Sequence, residues 1–185
     1  MAGHNKWTQI KRKKEVVDAA KSRRFSLLAK QIQLEAKKVD GDRNSAGLKA
    51  AIARAREANM PNENIERAFK AATLAGANLK KVCYEAYGPG GAAFIIEVIT
   101  ANKNRTGQEI KHLLAAHGAA LASPGAAVWA FVKSPDGYRP KTPRRMTEEE
   151  RARLDELLAA LKKYDDVQNI WHDAATNTDD ENFGH

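Results

Sequence analysis

"VCYEAYGPGGAAFIIEVIT", residues 82–100, decides the fold. Its opening residues, "VCYEAYG", alternate apolar and polar, the two-residue period of a strand with one covered face. Its close, "AAFIIEVIT", is a β-branched apolar run suited to a central strand. "GPGG" between them, Gly88 to Gly91, is turn chemistry.

Downstream, "RTGQEIKHLLAAHG" reads as a helix, with Thr106 and Glu109 spaced as a capping box and Gly118 as its stop. "AVWAFV" reads as a further strand, and "SPDGYRPKTPRR", with three prolines and a glycine, as a loop. Thr147 and Glu150 are spaced as a second capping box, opening a helix with Leu154, Leu158 and Leu161 on one face. "VQNIWH" closes as a last strand, and "TNTDDENFGH" reads as an acidic tail. This order predicts an α+β sandwich, with helices on one face of a mostly antiparallel sheet.

Upstream, every segment reads helical. In "FSLLAKQIQLEAKKV", Phe25, Leu28, Ile32, Ala36 and Val39 recur at three- and four-residue steps on one face, and Gly41 marks the stop. "SAGLKAAIARAREAN" turns Leu48, Ile52 and Ala55 inward. Pro61 suits the first turn of a third helix with Ile65, Ala68, Phe69 and Ala72 as its stripe. The expected organisation is a three-helix N-terminal domain over 1–80, an α+β domain over 81–174 and a tail over 175–185. Aromatic residues are sparse, so both cores must rest on Leu, Ile, Val and Ala.

The charge is polarised. Residues 1–81 hold 19 Lys and Arg against 8 Asp and Glu, while residues 82–185 hold 12 against 15. A basic half on an otherwise near-neutral chain points to a polyanionic partner, with nucleic acid ahead of an anionic membrane surface. The bland alternative is a solvated basic surface, or one that meets an acidic protein. "GHNKWTQIKRKK", residues 3–14, concentrates the signal. Lys6, Lys11, Arg12, Lys13 and Lys14 each suit a phosphate, and Trp7 suits stacking on an unpaired base. Equally, Trp7 could pack back onto the bundle as an apolar plug. Lys21, Arg23 and Arg24 continue the basic run. Lys103 and Arg105 in "NKNRT" stand where free N–H groups open a helix, a second phosphate candidate.

Catalytic and metal chemistry find little footing. The five histidines lie in no HExxH arrangement, and Cys83 has no partner cysteine for zinc or an internal disulfide. Cys83 reads as core rather than nucleophile, and Asp165 and Asp166 as turn residues. No catalytic residue, metal site or cofactor is expected. No run reaches the length of a membrane span, and the basic start lacks the apolar stretch of a secretory signal. A cytoplasmic location is expected; Glu15, Asp18 and the absence of serine before Ser22 weigh against a mitochondrial presequence without settling it.

Several phrases coincide with one family. "MAGHNKW", "AREANMPNENIERAFK", "YEAYGPGGAAFIIEVITANKNRT" and "DDVQNIWH", in that order, closely resemble the YebC/PmpR regulatory proteins, which include a mitochondrial translational activator of cytochrome c oxidase. The resemblance covers most of 1–133 and resumes over 143–174. It implies a three-helix domain followed by α+β domains. It also implies one of two roles: a ribosome-associated factor easing translation through proline-rich stretches, with ribosomal RNA or tRNA as partner, or a DNA-binding transcriptional regulator. The ribosomal role is the first expectation, because no helix-turn-helix signature accompanies the spread-out basic residues. Family members are longer, with a second α+β domain where "KSPDGYRPKTPRRM" stands here. The chain thus resembles a shortened member.

Overall fold

In the computed structural model, which describes residues 3–74 and 78–175, the chain divides into two units, 1–79 and 80–185.

The first unit is built on a helix far longer than its apolar stripe requires: α1 runs Gly3–Lys38. No glycine or proline interrupts the chain from His4 to Asp40, and Lys, Arg, Gln, Leu and Ala dominate it, all good helix formers. It ends where Gly41, at φ 81°, donates its N–H to the Ala36 carbonyl at 2.9 Å, satisfying a terminal acceptor in a left-handed cap. α2 (Ala46–Glu57) starts at Ser45, whose hydroxyl accepts the Leu48 N–H. α3 (Asn62–Leu74) begins one residue after Pro61, whose carbonyl accepts the Ile65 N–H. Ile32, Ala36, Leu48, Ala51, Ala55, Met60, Ile65 and Ala68 form the core between the three helices. Alanine at half of these positions lets the helix axes approach closely. The Arg43 guanidinium grips both carboxylate oxygens of Glu66 and lies 4.1 Å from the Phe69 ring centre, tying the α1–α2 loop to α3.

In the second unit β1 (Lys80–Tyr87) and β2 (Ala93–Thr100) pair antiparallel through the turn at Pro89–Gly91, where Gly90 and Gly91 both take positive φ. α4 (Lys103–Ala116) leads to β3 (Ala120–Ala122) on the outer side of β1. A hairpin, β4 (Phe131–Ser134) and β5 (Gly137–Pro140), precedes α5 (Glu148–Lys163) and β6 (Val167–His172), which pairs with β2. The antiparallel sheet has the order β3-β1-β2-β6. The fold is thus the expected α+β arrangement.

Every residue of β2 is buried, because both faces of the sheet are covered. Phe94, Ile96 and Val98 meet Ile110 and Leu114 of α4 and Leu154, Leu157 and Leu161 of α5. Ala93 and Ile95, on the opposite face, meet Ala127, Ala130, Phe131 and the rings of Tyr138 and Trp171. The segment expected to be a loop therefore supplies the second cover.

Four local readings need correction. Only the end of "AVWAFV" is strand: Val128–Ala130 forms a 3-10 turn, because the Glu85 carboxylate collects the N–H groups of Gly125, Ala127 and Val128 at 2.7, 2.7 and 2.8 Å. "SPDGYRPKTPRR" is strand over Gly137–Pro140, where Gly137 has φ 121° and packs directly against Trp171. Thr106 is no cap: Asn102 accepts the Arg105 N–H, and Thr106 is buried within α4. Cys83 is exposed rather than core, on the side of β1 away from α4. Partial shielding and the negative charge of Glu97 push its thiol upward, which keeps it protonated. The second capping box, Thr147 with Glu150, has both of its hydrogen bonds. The expected tail from residue 176 onward lies outside the described residues.

Candidate nucleic-acid interface

Among the described residues, it is the second half of α1 that packs against α2 and α3. Before Arg23, each residue of α1 whose side chain is described is exposed, including Trp7 at 72% and Ile10, Val16 and Val17 at more than half. Trp7 therefore does not plug the bundle. The N-terminal half of α1 is an arm of helix whose described side chains face solvent.

On an unbroken helix the faces follow from spacing. Trp7, Lys14 and Lys21 recur at seven-residue steps, close to two full turns, so they form one row. Ile10, Val17 and Arg24 form the neighbouring row by the same step. Lys13 borders that row on its other side. Lys11 shares its row with Asp18, while Arg12 stands on the far side with Val16 and Arg23. One face of the arm thus alternates cations with exposed apolar groups; Lys11 and Asp18 border it, each four residues on from Trp7 and Lys14, and Arg12 lies on the far side. Lys6 lies within α1, and its side chain is outside the described residues. Lys21 Nζ sits 5.6 Å from the Phe25 ring centre, where the arm meets the packed half of the helix. Arg23 is half-buried there.

Ile10 and Val17 were missed by charge reasoning. Their signal is the seven-residue spacing from Trp7 and Lys14 onward, which becomes readable only once the helix is known to be continuous.

Lys103 and Arg105 belong to the second unit, whereas the other candidates belong to the first. The amides that open α4 are partly spent: Asn102 takes the Arg105 N–H on its side chain and the Thr106 N–H on its carbonyl, both at 3.1 Å. The Arg105 guanidinium lies 3.9 Å from the carboxylates of both Glu109 and Asp166. Glu109 also accepts the Tyr164 hydroxyl, and partial burial together with this bond pushes that phenol up to about 12. Two carboxylates compete with any phosphate for Arg105, while Lys103 is exposed. Among the described residues no three His, Cys, Asp or Glu side chains gather as a metal site. No described helix is long and apolar enough to cross a membrane.

Comparison with known proteins adds the family. Residues 5–75 match the N-terminal domain of TACO1/YebC proteins, and residues 79–135 match their second and third domain. Over 134 residues the chain is 51% identical to a probable transcriptional regulatory protein of Pelotomaculum thermopropionicum, covering 71% of this chain and 55% of that one. Over 136 residues it is 50% identical to a protein of the same description from Thermoanaerobacter pseudethanolicus, covering 72% and 55%. The chain spans about half the length of the curated relatives it matches. The crystal structure of a conserved hypothetical protein of Aquifex aeolicus, Aq1575, superposes with a TM-score of 0.78 at 25% identity, covering 86% of this chain and 92% of that one. With both domain matches in register and relatives at this level of identity, the chain belongs to the TACO1/YebC family.

Proposed function

We propose that the chain is a nucleic-acid-binding regulatory protein whose α1 arm engages the phosphate backbone. The observation that carries this reading is the arm itself, an exposed helix bearing Lys11, Arg12, Lys13, Lys14, Lys21 and Arg24 with little acidic compensation. Such a helix is a counterion-releasing surface, and its affinity for a polyanion falls steeply with salt. The relatives named as probable transcriptional regulatory proteins favour transcription as the process, and on that reading duplex DNA is the first target to test.

A second reading has its own observation. Trp7 is exposed in the row that carries Lys14 and Lys21. An aromatic among cations suits unpaired bases better than a closed duplex, which favours RNA such as that of the ribosome. On that reading the protein works in translation, at the proline-rich stretches the family resemblance implies. Neither reading includes a chemical step or a cofactor.

The test is binding of the full chain to duplex DNA, single-stranded RNA and purified ribosomes over a salt series. The variant K11Q/R12Q/K13Q/K14Q should weaken binding to the true target and lower the slope of log affinity against log salt by about 3. Ribosome pelleting that persists in excess duplex DNA selects the translational reading. Pelleting abolished by that DNA selects the transcriptional one. A quadruple variant that matches wild type on all three targets removes α1 as the interface.

A further inference from the structure

The exposed apolar side chains of the arm follow a rule of placement. Ile10 and Val17 stand in one row of α1, seven residues apart, and both are more than half exposed. Each has a lysine position four residues before it and another four residues after it: Lys6 and Lys14 about Ile10, Lys13 and Lys21 about Val17. On a helix those two positions lie on opposite sides, each turned by about 40° from the residue between them. The face is therefore an apolar row with a cationic shoulder along either side. Arg24 ends the apolar row, and Trp7 heads the shoulder that carries Lys14 and Lys21.

Two cationic shoulders about an apolar centre match one kind of surface. The major groove of B-form DNA, about 12 Å wide, admits an α-helix between its two phosphate ridges. Its floor presents base edges, and the apolar group among them is the thymine C5-methyl. Lysine shoulders meet the ridges while the central row meets the floor. The arm from Gly3 to Ser22 spans about 30 Å, and its described side chains are all exposed, so the face is open along its length.

Other partners fit this face less well. The major groove of A-form RNA is too narrow for side chains to read. A helix that lies on a membrane gathers its apolar groups clear of charge, whereas Lys14 and Lys21 here adjoin Ile10 and Val17. Pairing with a second copy would set like-charged shoulders together. Asp18 lies outside the Lys14–Lys21 shoulder and does not enter the face between the two.

We propose that the arm lies in the major groove of duplex DNA with Ile10 and Val17 against thymine methyl groups, so that these two residues set base preference and the lysines set affinity. Ile10 and Val17 are about 10 Å apart along the helix axis, which places the thymines they meet roughly two to three base pairs apart. The proposal rests on the first reading above, duplex DNA bound through α1, and assigns the groove and the residues that read it.

The test measures binding of the full chain to poly(dA-dT) and to poly(dA-dU), duplexes that differ only in the thymine methyl, over a salt series. Wild type should bind the thymine duplex about fivefold more tightly. Ile10→Ala/Val17→Ala should reduce that preference to less than about twofold and leave the salt slope unchanged; alanine favours helix, and circular dichroism checks that the arm is kept. Val16→Ala, which trims an exposed valine on the far side of the arm, should keep the full preference. Equal affinity of wild type for the two duplexes overturns the proposal, as does a preference that survives Ile10→Ala/Val17→Ala or is lost equally in Val16→Ala. Duplex RNA bound as tightly as poly(dA-dT), and weakened by the same double variant, overturns the groove assignment. So does tighter binding to poly-glutamate or to phosphatidylserine vesicles. The underlying reading is judged separately, by the K11Q/R12Q/K13Q/K14Q variant. If that variant weakens DNA binding while wild type treats the two duplexes alike, α1 still holds the backbone and only the reading of bases falls. If it binds DNA as wild type does, both fall.

Discussion

Thr106 donates its hydroxyl hydrogen to the Asp166 carboxylate at 2.8 Å, joining α4 to the turn before β6 across sixty residues of chain. Both groups are buried, and Thr106 Oγ1 also lies 2.8 Å from Thr100 Oγ1, whose oxygen accepts the Asn102 N–H. The end of β2, the start of α4 and the approach to β6 therefore share one polar contact. Thr106→Val keeps the shape and removes the donor to a buried carboxylate. The expected cost is about 2 kcal/mol, read as a lower urea midpoint with an unchanged slope.

Glu85 organises the turn under Trp129. Its partial burial opposes ionisation, but three backbone N–H donors outweigh this and hold the carboxyl below its ordinary value. Stability from this group is present above the unfolded carboxylate range and is lost as pH falls through the lowered folded value. Glu85→Gln should cost about 2 kcal/mol at neutral pH. The gap to wild type should narrow as pH falls below the carboxylate range, and the amides of Ala127 and Val128 should exchange faster in the variant.

His172 works in the opposite sense. Burial under α5 pushes its imidazole below its ordinary value, and Nδ1 has no hydrogen-bond partner among the described residues. The unfolded chain then binds a proton more readily than the folded one, so stability is full above the unfolded value and falls as pH drops toward the folded one. Denaturation at pH 7.5 and pH 5 should show this loss. His172→Gln should reduce it, whatever its cost at neutral pH.

Gly137 has φ 121° at the head of β5, and a side chain there would enter the Trp171 ring. Gly137→Ala should cost about 3 kcal/mol, combining backbone strain with overpacking. Trp171 emission should shift to the red as the hairpin lifts from the sheet.

What was legible in the sequence was what neighbours in sequence decide. The stripe from Phe25 to Val39, the run over 93–100 and the Thr147–Glu150 box all lie within a few turns or one strand. Thr106 was misread because a threonine three residues before a glutamate carries the same local signal as a cap. Asp166, far along the chain, is what claims its hydroxyl. Val128 to Ala130 has strand composition, and Glu85 overrides it by drawing three N–H groups into a turn. The charges of the arm were plain in the sequence. Their sorting into rows depends on α1 continuing unbroken from Gly3, which no apolar pattern before Phe25 announces.

The two-sided burial of β2 also bears on the order in which the protein is made. The helical unit draws its core from contacts within its own span, so it can close as soon as α3 has emerged. β2 cannot: one neighbour is β1, but the other is β6, joined by pairs such as Glu97 with Asn169, and one of its covers is α5. Until those last elements are synthesised, a strand apolar on both faces waits with an open edge, the arrangement most prone to pair with another chain. A nascent chain stalled before Val167 is the form for which aggregation, or capture by a chaperone, is the expected fate.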